Sequence, residues 1–205
     1  VTSYIFSRKT LKPKKKTYAS RDWAIMASKN DTQPYTAIYC YQKAIALKDQ
    51  MHLNHNLASI YRNLGQWKQA ETIYHKILER CRKGERFAHT YLTFYGLSKI
   101  EFGRYKETKD PAHLSSAMDA ALQATIAKPE WHPSVFDYIC GLALKGEHKE
   151  ALKRLKPLLA KHGKIYRPEL ARDEDFDGIR HLPELQAMTV NTRPDFSHIF
   201  HPTKE

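Results

Sequence analysis

From about Tyr18 to about Lys161 the apolar positions recur three and four residues apart, the period of helices that bury one face. No sustained apolar–polar alternation occurs, and no Asn-Gly or Asp-Gly turn joins two such runs, so the pattern predicts helices rather than strands. The helices come in pairs. In the clearest, Leu57, Ala58, Tyr61 and Leu64 share one face, and Gly65 ends the helix because glycine takes a left-handed cap at least cost. Trp67, Ala70, Tyr74, Ile77 and Leu78 then form the facing stripe. Ala70 is small enough to let two antiparallel helices approach, and Tyr61 and Tyr74 fill the space around it.

The arrangement repeats. Ala37, Tyr41 and Ala44 precede Ala70, Tyr74 and Ile77 by 33 residues, and Ala117, Ala121 and Ala124 precede Ala151, Leu155 and Leu158 by 34. Gly103 and Gly146 stand where Gly65 stands, which predicts a helix turn at each. Tyr105 and His148 take the place of Trp67, and Lys128-Pro129 closes the third pair. A period of this length, with a small residue in each first helix, Gly and an aromatic at the turn, and Ala opening the second helix, resembles the tetratricopeptide repeat. Residues 54–82 carry it best, and it covers about 18–161 as four pairs. The resemblance implies an all-α fold, a right-handed α-solenoid of about four helix pairs with a C-terminal capping segment.

Some positions depart from the repeat. The first pair has Asp31-Thr32-Gln33-Pro34 where the turn Gly belongs. Gly103 to Ala117 spans 14 residues against 5 from Gly65 to Ala70, so Lys106–His113 reads as an insertion. The connection Arg80–Arg86 is also long, and Pro157 is expected to kink the last helix before Gly163 ends it. The division expected is a basic arm over 1–17, broken by Pro13, a repeat domain over 18–163, a cap over 164–190, and an extended tail over 191–205.

In the cap, Asp173, Asp175, Asp177, Gly178 and Glu184 match the calcium-loop spacing, which would supply oxygen ligands at alternate positions and a bidentate Glu at the end. Arg180 occupies the place of a buried aliphatic, Pro183 falls at the start of the exiting helix, and Gly163 and Pro168 weaken the entering one. The segment also resembles the acidic-then-apolar stretches that follow a last tetratricopeptide repeat. Phe176, Ile179, Leu182 and Leu185 recur every three residues and would cover the open end of the stack. A structural lid is therefore expected here rather than an ion site.

Charge alters the picture at one end. The chain of 205 residues carries a formal +12, with +7 in residues 1–30, +5 in 31–129 and balance thereafter. Lys12, Lys14, Lys15 and Lys16 make the arm suited to an acidic partner, a nucleic-acid backbone or an anionic membrane. The start at Val1 rather than Met suggests a processed product that has lost a targeting or anchoring segment. Cys40, Cys81 and Cys140 are odd in number and lack a CxxC spacing, which fits reduced thiols in a reducing compartment, the cytoplasm or an organelle interior. No stretch approaches the ~18 apolar residues a spanning helix needs.

Catalytic chemistry is hard to find. There is no Gly-rich phosphate loop and no GxSxG. His52 and His55 lie three apart on one predicted helix with no third ligand nearby, and Cys140 has no sequence-local base. No enzyme, no cofactor and no small-molecule substrate are expected. In a helix-pair solenoid, partners lie on the wall built by the first helices. In the second pair that wall would offer His52, His55, Asn56, Ser59, Arg62 and Asn63. Asn56 falls where members of the resembled family often hold a peptide backbone. The first pair would add Asp22, Trp23, Met26 and Lys29, the third Thr93, Phe94, Leu97 and Glu101, and the fourth Phe136, Asp137 and Cys140. Asp22 and Met26 stand where a clamp for a terminal carboxylate would need Lys and Asn. The expected role is a scaffold, adaptor, assembly factor or complex subunit binding a peptide or helix of another protein. RNA or an anionic surface held by the arm is the alternative.

Overall fold

The computed structural model describes residues 18–30 and 32–190. The basic arm with Lys12, Lys14, Lys15 and Lys16, and the tail from 191, lie outside them. The described residues form α1 (Ser20–Ser28), α2 (Pro34–Leu47), α3 (Met51–Asn63), α4 (Trp67–Arg82), α5 (Thr90–Thr108), α6 (Pro111–Ala127), α7 (His132–Leu144), α8 (His148–Arg172) and α9 (Pro183–Val190). A short 3-10 turn, Glu174–Phe176, lies between α8 and α9, and no strand occurs among the described residues.

Each odd helix up to α7 packs on the even one that follows, and each even helix up to α6 packs on the next odd one. The result is a stack of four helix pairs. Its core runs along the stack in consecutive clusters. Ile38, Tyr41, Leu53 and Leu57 join the first two pairs. Ala58, Ala70, Tyr74, Ile77 and Ile100 join the second and third. Leu114, Met118, Ile139, Leu155 and Phe176 belong to the cluster of the third and fourth pairs and the segment beyond them. Small residues recur in this core: Ala44, Ala58, Ala70, Ala117, Ala121, Ala124 and Ala151 are all fully buried. Gly65 and Gly146 take positive φ, at 71° and 84°, where each first helix turns into its second.

The third pair differs from the sequence expectation. Gly103 is not a turn; it lies within α5, against the ring of Trp67. Tyr105 likewise sits inside α5 and does not open the second helix. The extra residues of Lys106–His113 lengthen both helices: α5 runs on to Thr108, and α6 starts at Pro111. Lys109, with φ 57°, is the left-handed cap in place of a glycine. Asp110 then caps α6, its carboxylate accepting the Ala112 N–H at 2.9 Å, with Pro111 in the first turn.

The fourth pair differs too. Backbone around Pro157 stays helical; the break comes at His162, with φ −127° and ψ 23°. Nor does Gly163 end the helix, because α8 resumes there and runs to Arg172. The chain beyond the bend folds back on α7. Phe176 and Ile179 are fully buried, Leu185 is 1% exposed, and Leu182 packs beside them. Arg180 supports this return by donating to the carbonyl of Ala171 and, at 2.8 Å, to that of Asp173, where a helix end leaves acceptors unpaired. No helix of the described residues is long and apolar enough to cross a membrane.

Candidate partner-binding groove

A cavity of about 510 Å³ lies between α5, α7, the part of α8 after its bend, and the loop that follows. First helices build it: α5 supplies Tyr95, Lys99, Phe102 and Lys106, and α7 supplies Phe136, Asp137 and Cys140. The bend at His162 brings a third wall, with Ile165, Tyr166 and Glu169, and the loop adds Asp173 and Asp175. No residue of α6 takes part. Spacing explains the α7 contribution. Phe136, Asp137 and Cys140 fall on one helix face, while Ile139 and Leu142 point into the core.

Aromatic rings form the apolar side. Phe136 and Tyr166 stack with centroids 4.4 Å apart, and Phe136 also touches Phe176 at 5.7 Å. A 2.6 Å hydrogen bond joins the Tyr166 hydroxyl to His132 Nδ1 and fixes the ring. Burial pushes the Tyr166 hydroxyl well above its ordinary value, so it stays a phenol.

Charge fills the other side. Lys99 Nζ donates to Asp137 Oδ1 at 3.1 Å, and Lys106 Nζ reaches Asp175 at 3.1 Å. Asp137 is 5% exposed, and its Oδ2 is buried with no hydrogen-bond partner. Burial raises the Asp137 carboxyl, while Lys99 pulls it back. Burial also raises Asp175, helped by the nearby Asp173 charge and opposed by Lys106. The Cys140 thiol is pushed well above its usual range by burial and then by Asp175, which favours its protonated form. No histidine lines the cavity beside it.

The sequence-predicted residues scatter around this cavity. Phe136, Asp137 and Cys140 line it, as do Asp173 and Asp175 from the acidic run. Trp23 is half-buried against Tyr18 and Tyr39, at 5.2 and 5.8 Å. Asp22 accepts the Ala19 N–H at 2.9 Å and so starts α1. His52 is exposed beside Ser20, Arg21 and Ala24, whereas His55 packs on Tyr74 and Phe87 and burial lowers its pKa. Asn56 donates to the Tyr41 hydroxyl at 3.3 Å, and Ser59 bonds the Tyr74 hydroxyl at 3.2 Å. Arg62 forks onto Asn63, which borders a separate cavity with Asn30 and Pro34. Phe94 is half-buried on α5 and does not line the large cavity; Thr93 and Leu97 are core residues.

The carboxylates of the acidic run are engaged with the protein itself or with solvent. Asp173 accepts the Asp175 N–H at 3.1 Å and caps the 3-10 turn, and Asp177 pairs with Arg180. Glu184 is exposed in the first turn of α9. The ligand atoms that do converge, within 4.8 Å, are those of Cys140, Asp173 and Asp175.

Tyr95, Lys99, Lys106, Tyr166 and Glu169 are among the lining residues that the sequence did not single out as site residues. Tyr95 and Lys99, four apart, were the available signal. They were obscured because α5 has no single buried stripe, its seven buried residues from Tyr91 to Phe102 including the polar Thr93 and Ser98.

No protein-family model matches the chain, and no curated protein matches it. Among solved structures it is similar to the crystal structure of YrrB, a TPR protein with an unusual peptide-binding site. That likeness covers 86% of each chain at 17% identity, with a TM-score of 0.58. The shared feature is the fold: the described helices form an α-solenoid of tetratricopeptide-type helix pairs.

Proposed function

We propose that the chain is a non-catalytic protein-interaction scaffold, serving as an adaptor, assembly factor or subunit of a larger complex. A peptide or helix of the partner lies in the cavity between α5, α7 and the end of α8. The observation that carries this is the cavity itself: about 510 Å³, open along first helices, with stacked rings on one side and charges on the other. Volumes of this order, apolar with a few polar groups, are typical of binding sites. The fold supports the same reading, as does the peptide-binding site of YrrB. The protonated Cys140 thiol leaves the cavity without an activated nucleophile. Three free cysteines suit a reducing compartment.

Nucleic acid in this cavity is opposed by its carboxylates. An electrostatic tether through Lys12, Lys14, Lys15 and Lys16 remains the second reading, supported by the formal +12.

The test is affinity capture from native extract with the full chain and two exposed-site variants. Glu169→Arg alters the cavity rim, and Ile126→Arg alters the second-helix side, where Ile126 is 64% exposed. The expected result is a partner retained by wild type and Ile126→Arg but lost from Glu169→Arg. Equal retention by all three would remove the cavity from the account.

A further inference from the structure

Four carboxylates line the cavity (Asp137, Glu169, Asp173 and Asp175) against two ammonium groups, Lys99 and Lys106. Ionised, the lining is therefore acidic by two charges, although the whole chain is formally +12. Two features make this more than a surface cluster. Asp137 is 5% exposed, and while its Oδ1 accepts from Lys99, its Oδ2 is buried without a donor. Asp173 and Asp175 bring carboxylate oxygens within 4.8 Å of each other, and Lys106 is the ammonium paired with Asp175. Two neighbouring carboxylates with one ammonium leave room for a second cation. Beside them lie the stacked, buried rings of Phe136 and Tyr166, an apolar wall that suits the stem of a long basic side chain.

On the reading that this cavity holds a partner segment, we infer that the segment is basic and anchors by an arginine or lysine inserted between the Phe136–Tyr166 wall and the carboxylates. The head group lies against Asp173, Asp175 and Glu169, and Asp137 adds the buried negative field beneath. A planar guanidinium pairs two carboxylate oxygens at once, which makes arginine the better fit. An acidic segment is repelled by the same groups.

A library of short random-sequence peptides displayed on phage, selected on the immobilised full chain, tests this. The expected outcome is enrichment of peptides with one arginine or lysine at a fixed position. Replacing that residue by citrulline or norleucine should weaken binding at least tenfold. Glu169→Gln, at an exposed site, should weaken binding several-fold, and Asp137→Asn should do so more strongly while keeping the wild-type helical spectrum. Enriched peptides without a basic residue, lost on Glu169→Arg, would overturn the inference and leave the scaffold intact. Enrichment of nothing would overturn both. Self-association of the full chain, abolished by Glu169→Arg, would place a second copy in the cavity and overturn the assignment to a different partner.

Discussion

At the scale of single residues, the stack depends on small side chains facing large ones. Tyr74 is fully buried, and a methyl group on Gly96 of the next helix would stand 2.5 Å from its ring. Gly96→Ala is therefore expected to destabilise the fold by about 1–3 kcal/mol through overpacking. Urea denaturation checks this, and a midpoint equal to wild type would count against the close approach. A second residue-scale expectation concerns Lys99 and Asp137. Lys99→Met leaves the Asp137 carboxyl buried and unpaired, and should cost about 1–3 kcal/mol near neutral pH. Lys99 is 43% exposed, which keeps the loss below the ~3–5 kcal/mol of a fully buried pair. Burial already raises Asp137 in the folded state. The folded form therefore binds its proton more readily than the unfolded form, and lower pH favours folding at this group. The deficit of Lys99→Met should shrink as pH falls from 7.5 towards 5, and a deficit independent of pH would contradict it. The alternation of Ala70, Tyr74 and Ile77 was legible in sequence because helix period and side-chain size are local. The pairing of Lys99 with Asp137, 38 positions apart, was not, because only the packing of α5 on the fourth pair makes it.

At the scale of elements, the bend in α8 and the return of the chain after it shape the third wall of the cavity. His132 and His162 stand with ring centroids 4.1 Å apart at that bend, and Trp131 and the Tyr166 hydroxyl also face His132. Burial lowers the His132 pKa, and His162 lowers it further. The folded state thus binds this proton less readily than the unfolded state. The stability involved is fully present above the ordinary histidine value of about 6.5 and is lost as pH falls from there through the lower folded value. His132 thus makes the slope of melting temperature against pH more positive between pH 5.5 and 7.5, and His132→Gln should make that slope less positive. An unchanged slope in that variant would remove His132 as the cause. Phe176 tests the returning segment. It is fully buried against Phe136, so Phe176→Ala should cost about 3–5 kcal/mol, read by the same denaturation experiment. A loss below about 1 kcal/mol would mean that the segment contributes little to the fold. Repeat spacing made the first, second and fourth pairs readable. The third was misread because Gly103 resembles a turn residue by position, whereas what ends α5 is the left-handed Lys109, which no composition rule marks. The break at His162 escaped for a similar reason: Pro157 carries the stronger local signal, yet the backbone there stays helical.

At the scale of the whole molecule, the cavity lining and the chain as a whole differ in the sign of their formal charge. The formal +12 is concentrated in the first 30 residues, at +7, while the cavity between α5, α7 and the end of α8 is lined by more carboxylates than ammonium groups. The fold was legible because a repeated pattern states itself several times. The lining of the candidate cavity was legible only in part. Phe136, Asp137 and Cys140 share a face that the helix period exposes, but Tyr166 and Glu169 join them through a bend beyond the last recognisable repeat. The pair with the best repeat pattern, α3 with α4, drew attention to His55, Asn56 and Ser59. These residues are engaged with Tyr74, Phe87 and Tyr41 of the scaffold itself. Hydrogen–deuterium exchange tests the central claim most directly, comparing the full chain alone with the chain saturated by the peptide it retains best. Binding is expected to slow exchange in α5, α7 and residues 163–175 and to leave α2, α4 and the exposed side of α6 unchanged. Protection confined to α3 and α4, or to residues 1–17, would contradict the claim that this cavity is where the scaffold holds its partner.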